Sequence, residues 1–199
     1  MRRLLIALTV TALVGLGLPA LSLASAPDDP NELGLYAGYL FGDSLTSLSN
    51  SPELDDDLSF GVQYVRMFSE NWGLMARLGY SPNTVTRLPS GGDVDMDVTY
   101  FDLSATWQWN WDRVSLYVPF GLGFAQGSLD RPLTGFGPGV RIDDDSGITY
   151  HVGLGLLFPI ADSTNLRIDA RYRNMNQLVD TFDDSLDTFE ATVGVGWTF

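Results

Sequence analysis

The sequence predicts an all-β fold, an eight-stranded antiparallel barrel that crosses a membrane on strands. Three observations carry this. Apolar and polar or small residues alternate strictly through the last twelve positions, TFEATVGVGWTF. The same alternation recurs in seven earlier runs, and the links between the runs are by turns short and long. In the final run Phe189, Ala191, Val193, Val195, Trp197 and Phe199 fall on one parity, against Thr188, Glu190, Thr192, Gly194, Gly196 and Thr198 on the other. Such a run is a strand with one apolar face. A soluble sandwich gains nothing from an exposed Trp-x-Phe ending, whereas a membrane barrel turns that face to lipid and the other to its lumen.

The chain begins with Arg2-Arg3, an apolar run from Leu4 to Leu18, a break at Pro19 and Ala24-Ser25-Ala26. These are the three parts of a secretory signal peptide. The run is also near the length of a membrane anchor, and the cleavage site distinguishes the two. The expected organisation is a signal peptide over 1–26 and a barrel over 27–199, with Pro27 to Glu32 as a polar lead-in. There is no cysteine, so disulfides and a lipid-modified Cys are excluded. Formal charge is −14, and all 11 basic residues are Arg. Without Arg2 and Arg3, 9 Arg stand against 25 acids, a balance of −16 that offers nothing to nucleic acid. Outside the leader, apolar runs fall short of the ~20 residues of a membrane helix, so a membrane reading rests on strands.

The runs follow in order. Leu33, Leu35, Ala37, Tyr39 and Phe41 oppose Gly34, Tyr36, Gly38 and Leu40. Leu58, Phe60, Val62 and Tyr64 oppose Ser59, Gly61 and Gln63. Trp72, Leu74, Ala76, Leu78 and Tyr80 oppose Gly73, Met75, Arg77 and Gly79. The fourth run sets Phe101, Leu103, Ala105, Trp107 and Trp109 against Tyr100, Asp102, Ser104, Thr106 and Gln108. The fifth runs from Val114 to Phe124 and the sixth from Ile148 to Phe158, each with glycines on its second parity. The seventh sets Leu166, Ile168, Ala170 and Tyr172 against Arg167, Asp169, Arg171 and Arg173. One such run is weak evidence; eight, an even number, are strong. The links at 69–71, 110–113 and 159–164 are short, and those at 42–57, 81–95, 126–146 and 174–187 are long and polar. Short periplasmic turns and long extracellular loops require that alternation and leave both termini periplasmic.

Aromatic residues supply an independent check. On the lipid-facing parity, Phe68, Trp72, Trp109, Phe158, Trp197 and Phe199 lie at periplasmic ends. Phe41, Phe60, Tyr80, Phe101, Phe124, Tyr150, Tyr172 and Phe189 lie at outer ends. Two girdles bracketing Leu, Val and Ala match the two bilayer interfaces. A soluble lipocalin-like barrel, the competing architecture, buries its apolar parity inward and gives no reason for this spacing.

The terminal strand and the segment YVPFGLGFA of the fifth run carry a resemblance that extends over essentially the whole chain after the leader. They resemble the small eight-stranded outer-membrane barrels of the OmpA/OmpX and opacity-porin type. That resemblance implies a bacterial outer-membrane location and an aromatic carboxy-terminal assembly signal, here Trp197 and Phe199, read by the barrel-assembly machinery. It leaves function mixed among envelope-stabilising proteins, adhesins, narrow conduits and a few lipid A-modifying enzymes.

The lumen parity carries Arg77, Asp102, His151, Arg167, Asp169, Arg171, Arg173 and Glu190. An eight-stranded barrel is only wide enough for side chains to fill, so such charges must pair. Arg77 and Asp102 lie on adjacent strands at similar heights, and Arg171 or Arg173 can reach Glu190. A salt-bridged plug, with Tyr36 and Tyr117 adding bulk, is expected over a transport path. His151 is the single histidine. The lipid A deacylase barrels are similar in size, but their catalytic strand carries His-x-Ser-Asn. Here His151-Val152-Gly153-Leu154 lacks the nucleophile, so no enzyme is expected.

Acidic residues concentrate in the long links, at Asp55–Asp57, Asp93, Asp95 and Asp97, and Asp143, Asp144 and Asp145. Asp93-x-Asp95-x-Asp97 is similar to the opening of an EF-hand loop, but Val98 replaces its glycine and Ser104 its closing glutamate. No cofactor is expected, beyond Ca²⁺ or Mg²⁺ held loosely at these aspartates, because carboxylates and lipopolysaccharide phosphates share a plane only with cations between them. The expected protein is a monomeric, non-catalytic barrel with a structural or surface-interaction role among outer-membrane lipid and lipopolysaccharide. A narrow conduit for small solutes is the alternative, and a lipid A-modifying enzyme a third.

Overall fold

The computed structural model describes residues 30–42, 53–86, 88, 91–131, 145–175 and 186–199. The leader, Asp143 and Asp144 lie outside them, as does the side chain of Asp145. Every described element is a strand: β1 (Asn31–Phe41), β2 (Glu53–Leu54), β3 (Asp57–Met67), β4 (Trp72–Thr86), β5 (Val94–Asn110), β6 (Ser115–Leu129), β7 (Asp145–Ala161), β8 (Thr164–Met175) and β9 (Leu186–Thr198). Eight long strands pair antiparallel with their chain neighbours, and β1 closes the ring by pairing with β9. β2 is a two-residue addition to the outer end of β4, at Glu53–Thr86 and Leu54–Val85. The barrel of eight alternating runs is therefore observed, with this small extra strand that the alternation does not reveal.

Through most of each strand the apolar parity faces out. Leu35, Leu122, Val152 and Val193 are exposed, while the opposite parity is buried. Phe60 and Phe68, Trp72 and Tyr80, Trp109 and Phe101, Phe158 and Tyr150, and Trp197 and Phe189 are pairs eight positions apart. At ~3.3 Å per residue and a tilt of about 40°, that spacing sets the two ring levels roughly 20 Å apart.

Four strands run past the outer ring level. The expected loops at 81–95 and 126–146 are partly strand, since β4 continues to Thr86, β5 begins at Val94, β6 continues to Leu129 and β7 begins at Asp145. The physical reason is an inversion of polarity. Above Tyr80 and Phe101 the outward positions are Pro82, Thr84, Thr86, Asp95, Asp97 and Thr99, and the inward ones include Val85, Val94, Met96 and Val98. Alternation continues, but its apolar side changes where the strand leaves the lipid. Those inward residues join Leu40, Leu54, Leu88, Ala125, Met175 and Leu186 in an apolar cluster that fills the outer mouth. A smaller cluster of Val65, Met75, Tyr117 and Leu157 lies elsewhere inside.

Lumen-facing glycines make room for the largest inner side chains. A Cβ at Gly155 would collide with the Tyr117 ring, and one at Gly79 with the Tyr100 ring. Among the described residues, the wall is interrupted within one seam. Between β6 and β7 pairing runs to Tyr117–Gly155 and resumes in the same register at Phe120–Val152. Pro119 stands in the gap opposite Gly153 and has no N–H to give its carbonyl.

Candidate functional site

The eight lumen residues singled out in the sequence all lie on the inner wall and are buried. They form one connected network with Glu32, Tyr36, Tyr100, Tyr117, Ser59, Ser104 and Thr192. Near the turn end, Glu32 accepts hydrogen bonds from Arg167 Nε (2.5 Å) and Asn165 Nδ2 (2.7 Å). The Arg167 guanidinium lies over the Tyr117 ring at 4.8 Å, and the Tyr117 hydroxyl donates to Asp169 Oδ2 at 2.7 Å.

At mid-height Asp169 Oδ1 accepts from Arg77 Nη1 (3.1 Å) and Arg171 Nε (2.6 Å). Arg77 also donates to Thr192 Oγ1 at 3.2 Å, approaches Glu190 at 3.3 Å and covers the Tyr36 ring at 3.6 Å. Farther out, Glu190 Oε1 accepts from Ser59 Oγ (2.7 Å) and from the Tyr100 hydroxyl. Arg173 joins Asp102 Oδ2 (2.5 Å) to Glu190 Oε2 (3.6 Å) and covers Tyr100 at 3.9 Å.

Two expectations change here. Arg77 and Asp102 are cross-strand partners, but each bonds elsewhere, because long side chains on neighbouring strands run side by side and meet counter-charges from the opposite wall. Of the two arginines that could reach Glu190, it is Arg173 that does. The charges balance: among the described residues, four buried arginines (Arg77, Arg167, Arg171 and Arg173) face four buried carboxylates (Glu32, Asp102, Asp169 and Glu190). Unpaired charge in this environment costs several kcal/mol per ion, so pairing is a condition of the fold.

The His151 strand carries no nucleophile, but a neighbouring strand brings a hydroxyl to His151. Ser104 on β5 lies 2.7 Å from His151 Nε2, and Asp102 Oδ1 lies 3.5 Å from Nδ1. The strand between them, β6, presents Gly121 opposite both Ser104 and His151, and the missing side chain lets them meet. The order Ser-His-Asp is that of a hydrolase triad. Here all three residues are enclosed, and Asp102 is shared with Arg173.

Sequence reading missed Glu32, placed in the polar lead-in. Its signal was present, since Glu32, Gly34, Tyr36 and Gly38 continue the lumen parity by one further step. Ser104 was on the right parity, but nothing local joins it to a histidine 47 positions away.

None of the fourteen girdle aromatics is buried; Phe68 lies in the β3–β4 turn and the rest on strands or at the carboxy terminus. Trp197 is exposed on β9. The Phe199 N–H donates to the Asn31 carbonyl at 3.0 Å, and Asn31 Nδ2 donates to the Phe199 carbonyl at 3.2 Å. Asp95 and Asp97 are on the outer face of β5, not in a loop, and Asp97 accepts from the Tyr80 hydroxyl at 2.7 Å. Asp93 precedes that strand. Extended backbone spaces these three carboxylates along the wall, and among the described residues no three acids or histidines converge as metal ligands.

Comparison with known proteins agrees with this architecture. The crystal structure of Neisserial surface protein A superposes with a TM-score of 0.64 at 17% identity, covering 85% of this chain and 97% of that one. OprG from Pseudomonas aeruginosa gives 0.55 at 14% identity over 86% and 97%. Ail, the attachment invasion locus protein of Yersinia pestis, gives 0.51 at 21% identity over 85% and 99%, in a complex with the heparin analogue sucrose octasulfate. At these identities the likeness is one of fold. No curated protein matches the sequence. The model of the outer membrane protein beta-barrel domain matches residues 9–199, nearly the whole sequence. With a closed eight-stranded barrel, an apolar outer wall and a polar, filled interior, this chain belongs to the outer membrane protein beta-barrel domain family, in the outer membrane of Gram-negative bacteria.

Proposed function

We propose that this protein is a non-catalytic, closed barrel that serves the outer membrane as a structural and surface-interaction protein. The observation that carries the reading is the double filling of the interior, by a charge-balanced network in the membrane-spanning part and by an apolar cluster in the mouth. A solute would have to part both. Ser104 is fully enclosed, so its approach to His151 reads as a link in the network that holds Asp102 in place.

The outer rim supports an interaction role with a definite sign. Glu53, Asp55, Asp56, Asp57, Asp93, Asp95, Asp97 and Asp130 stand there, and Arg131 is the one arginine of the described rim. Ail is seen with a sulfated sugar; the rim of this chain repels polyanions and suits divalent cations or cationic partners. Both termini are placed on the periplasmic side, and lipopolysaccharide surrounds the outer half.

Conductance across planar bilayers tests the reading. The barrel should pass no steady current, and large stable steps would make it a conduit. A second measurement addresses catalysis: expression should leave lipid A mass unchanged, and a fluorophosphonate should not label Ser104 in the folded barrel. Labelling there would identify an accessible nucleophile and overturn the non-catalytic assignment.

A further inference from the structure

We propose that Glu32 fixes the register in which the barrel closes. The seams β3–β4, β5–β6 and β7–β8 are set by short turns. The β1–β9 seam joins the two ends of the barrel chain, and no turn sets it. Its strands present Leu33, Leu35 and Ala37 against Trp197, Val195 and Val193 to lipid, and glycines at 34, 38, 194 and 196 to the lumen. A slip of two residues keeps every apolar side chain facing lipid and every glycine facing inward. Register is weakly specified in such glycine-rich strands. Tyr36 discriminates in only one direction: in register it faces Gly194, and one slip sets it against Thr192 but the other against Gly196.

Glu32 discriminates in both directions. Its side chain crosses β9 above Gly196 and reaches β8, where Arg167 Nε and Asn165 Nδ2 donate to its two oxygens at 2.5 and 2.7 Å. A Cβ on residue 196 would come within 2.6 Å of the Glu32 carboxyl carbon, so the glycine is the passage. Arg167 is held from its other side by the Tyr117 ring. A two-residue slip carries Glu32 ~7 Å along the seam. One direction takes it beyond Thr198, its present partner and the last residue of β9. That slip leaves Arg167 buried without its counter-charge. The other sets Glu32 against Gly196 and carries its carboxylate from residues 165 and 167 of β8 toward residues 167 and 169, where Asp169 repels it. The latch thus makes the first strand read its position against the seventh long strand, through the eighth.

The test uses disulfide trapping in the full chain, which has no native cysteine. Leu35 and Val195 are cross-strand partners, so the Leu35→Cys/Val195→Cys pair should oxidise. The Leu35→Cys/Val193→Cys and Leu35→Cys/Trp197→Cys pairs, each displaced by two residues, should not. Adding Glu32→Ala should lower the yield of the first pair several-fold and raise one of the displaced pairs. Gly196→Ala should do the same with Glu32 intact. An unchanged yield of the first pair after Glu32→Ala, even with a lower melting temperature, overturns the proposal and leaves Glu32 a stabilising residue only. Where neither single variant folds, Glu32→Arg/Arg167→Glu decides: recovery of the Leu35→Cys/Val195→Cys link supports the latch, and no recovery overturns it.

Discussion

Arg77 and Asp102 face one another across β4 and β5, and their charges do not meet. Arg77 spans the lumen to Asp169 and Glu190, and Asp102 takes Arg173 from β8. The network therefore ties opposite walls together, and the loss of one member is felt across the barrel.

Glu190→Ala is expected to destabilise the detergent-folded barrel by about 3–5 kcal/mol, because Arg77 and Arg173 stay buried with less counter-charge. Ser59 and Tyr100 lose an acceptor as well. A melting curve followed by circular dichroism checks this. A melting temperature within a degree of the parent would mean that water, not protein, satisfies these arginines.

At the gap between β6 and β7, Pro119→Ala should supply an N–H to the Gly153 carbonyl. One added wall hydrogen bond contributes on the order of 1 kcal/mol. The new amide at residue 119 should then exchange slowly and exchange at Gly155 should slow relative to the parent, with no change at strands away from this seam. Fast exchange at residue 119 in the variant would show that the strands are apart there for another reason.

Removing Phe199 should impair insertion and leave export intact. The residue contributes an aromatic ring to the girdle and a two-way backbone and side-chain contact with Asn31. Fractionation decides: normal amounts of the truncated chain in the outer membrane would deny the carboxy terminus its assembly role.

Association with lipopolysaccharide should depend on divalent ions, since an acidic rim and anionic lipid phosphates repel one another. Chelation at constant ionic strength should release the lipid, and retention would point to contacts other than cation bridges.

The legibility of this fold in its sequence followed the environment. Within the lipid every strand was readable, because alternation has one meaning there and rings mark both limits. Past the outer ring level the rule reverses, so Val85 and Val94 read as loop residues although they are buried. The eight lumen charges were found by parity alone. Their partners were not, because parity assigns a side and a height but says nothing of reach: Arg77 finds Asp169 92 positions away. Glu32 fell outside the run because the lipid-facing signal begins only at Leu33.

The four tall strands β4 to β7 have 15–17 residues, and β1, β3, β8 and β9 have 11–13. A surplus of about four residues lifts one side of the rim by roughly 10 Å. Seen from above, the barrel thus acquires a compass bearing. A molecule diffusing laterally meets a parapet of Thr84, Asp97 and Thr99 from one quarter and the ends of shorter strands from the other. Any neighbour in the plane of the membrane that engages this parapet does so at a single azimuth, and rotation of the protein about its axis becomes a variable that the neighbour can sense.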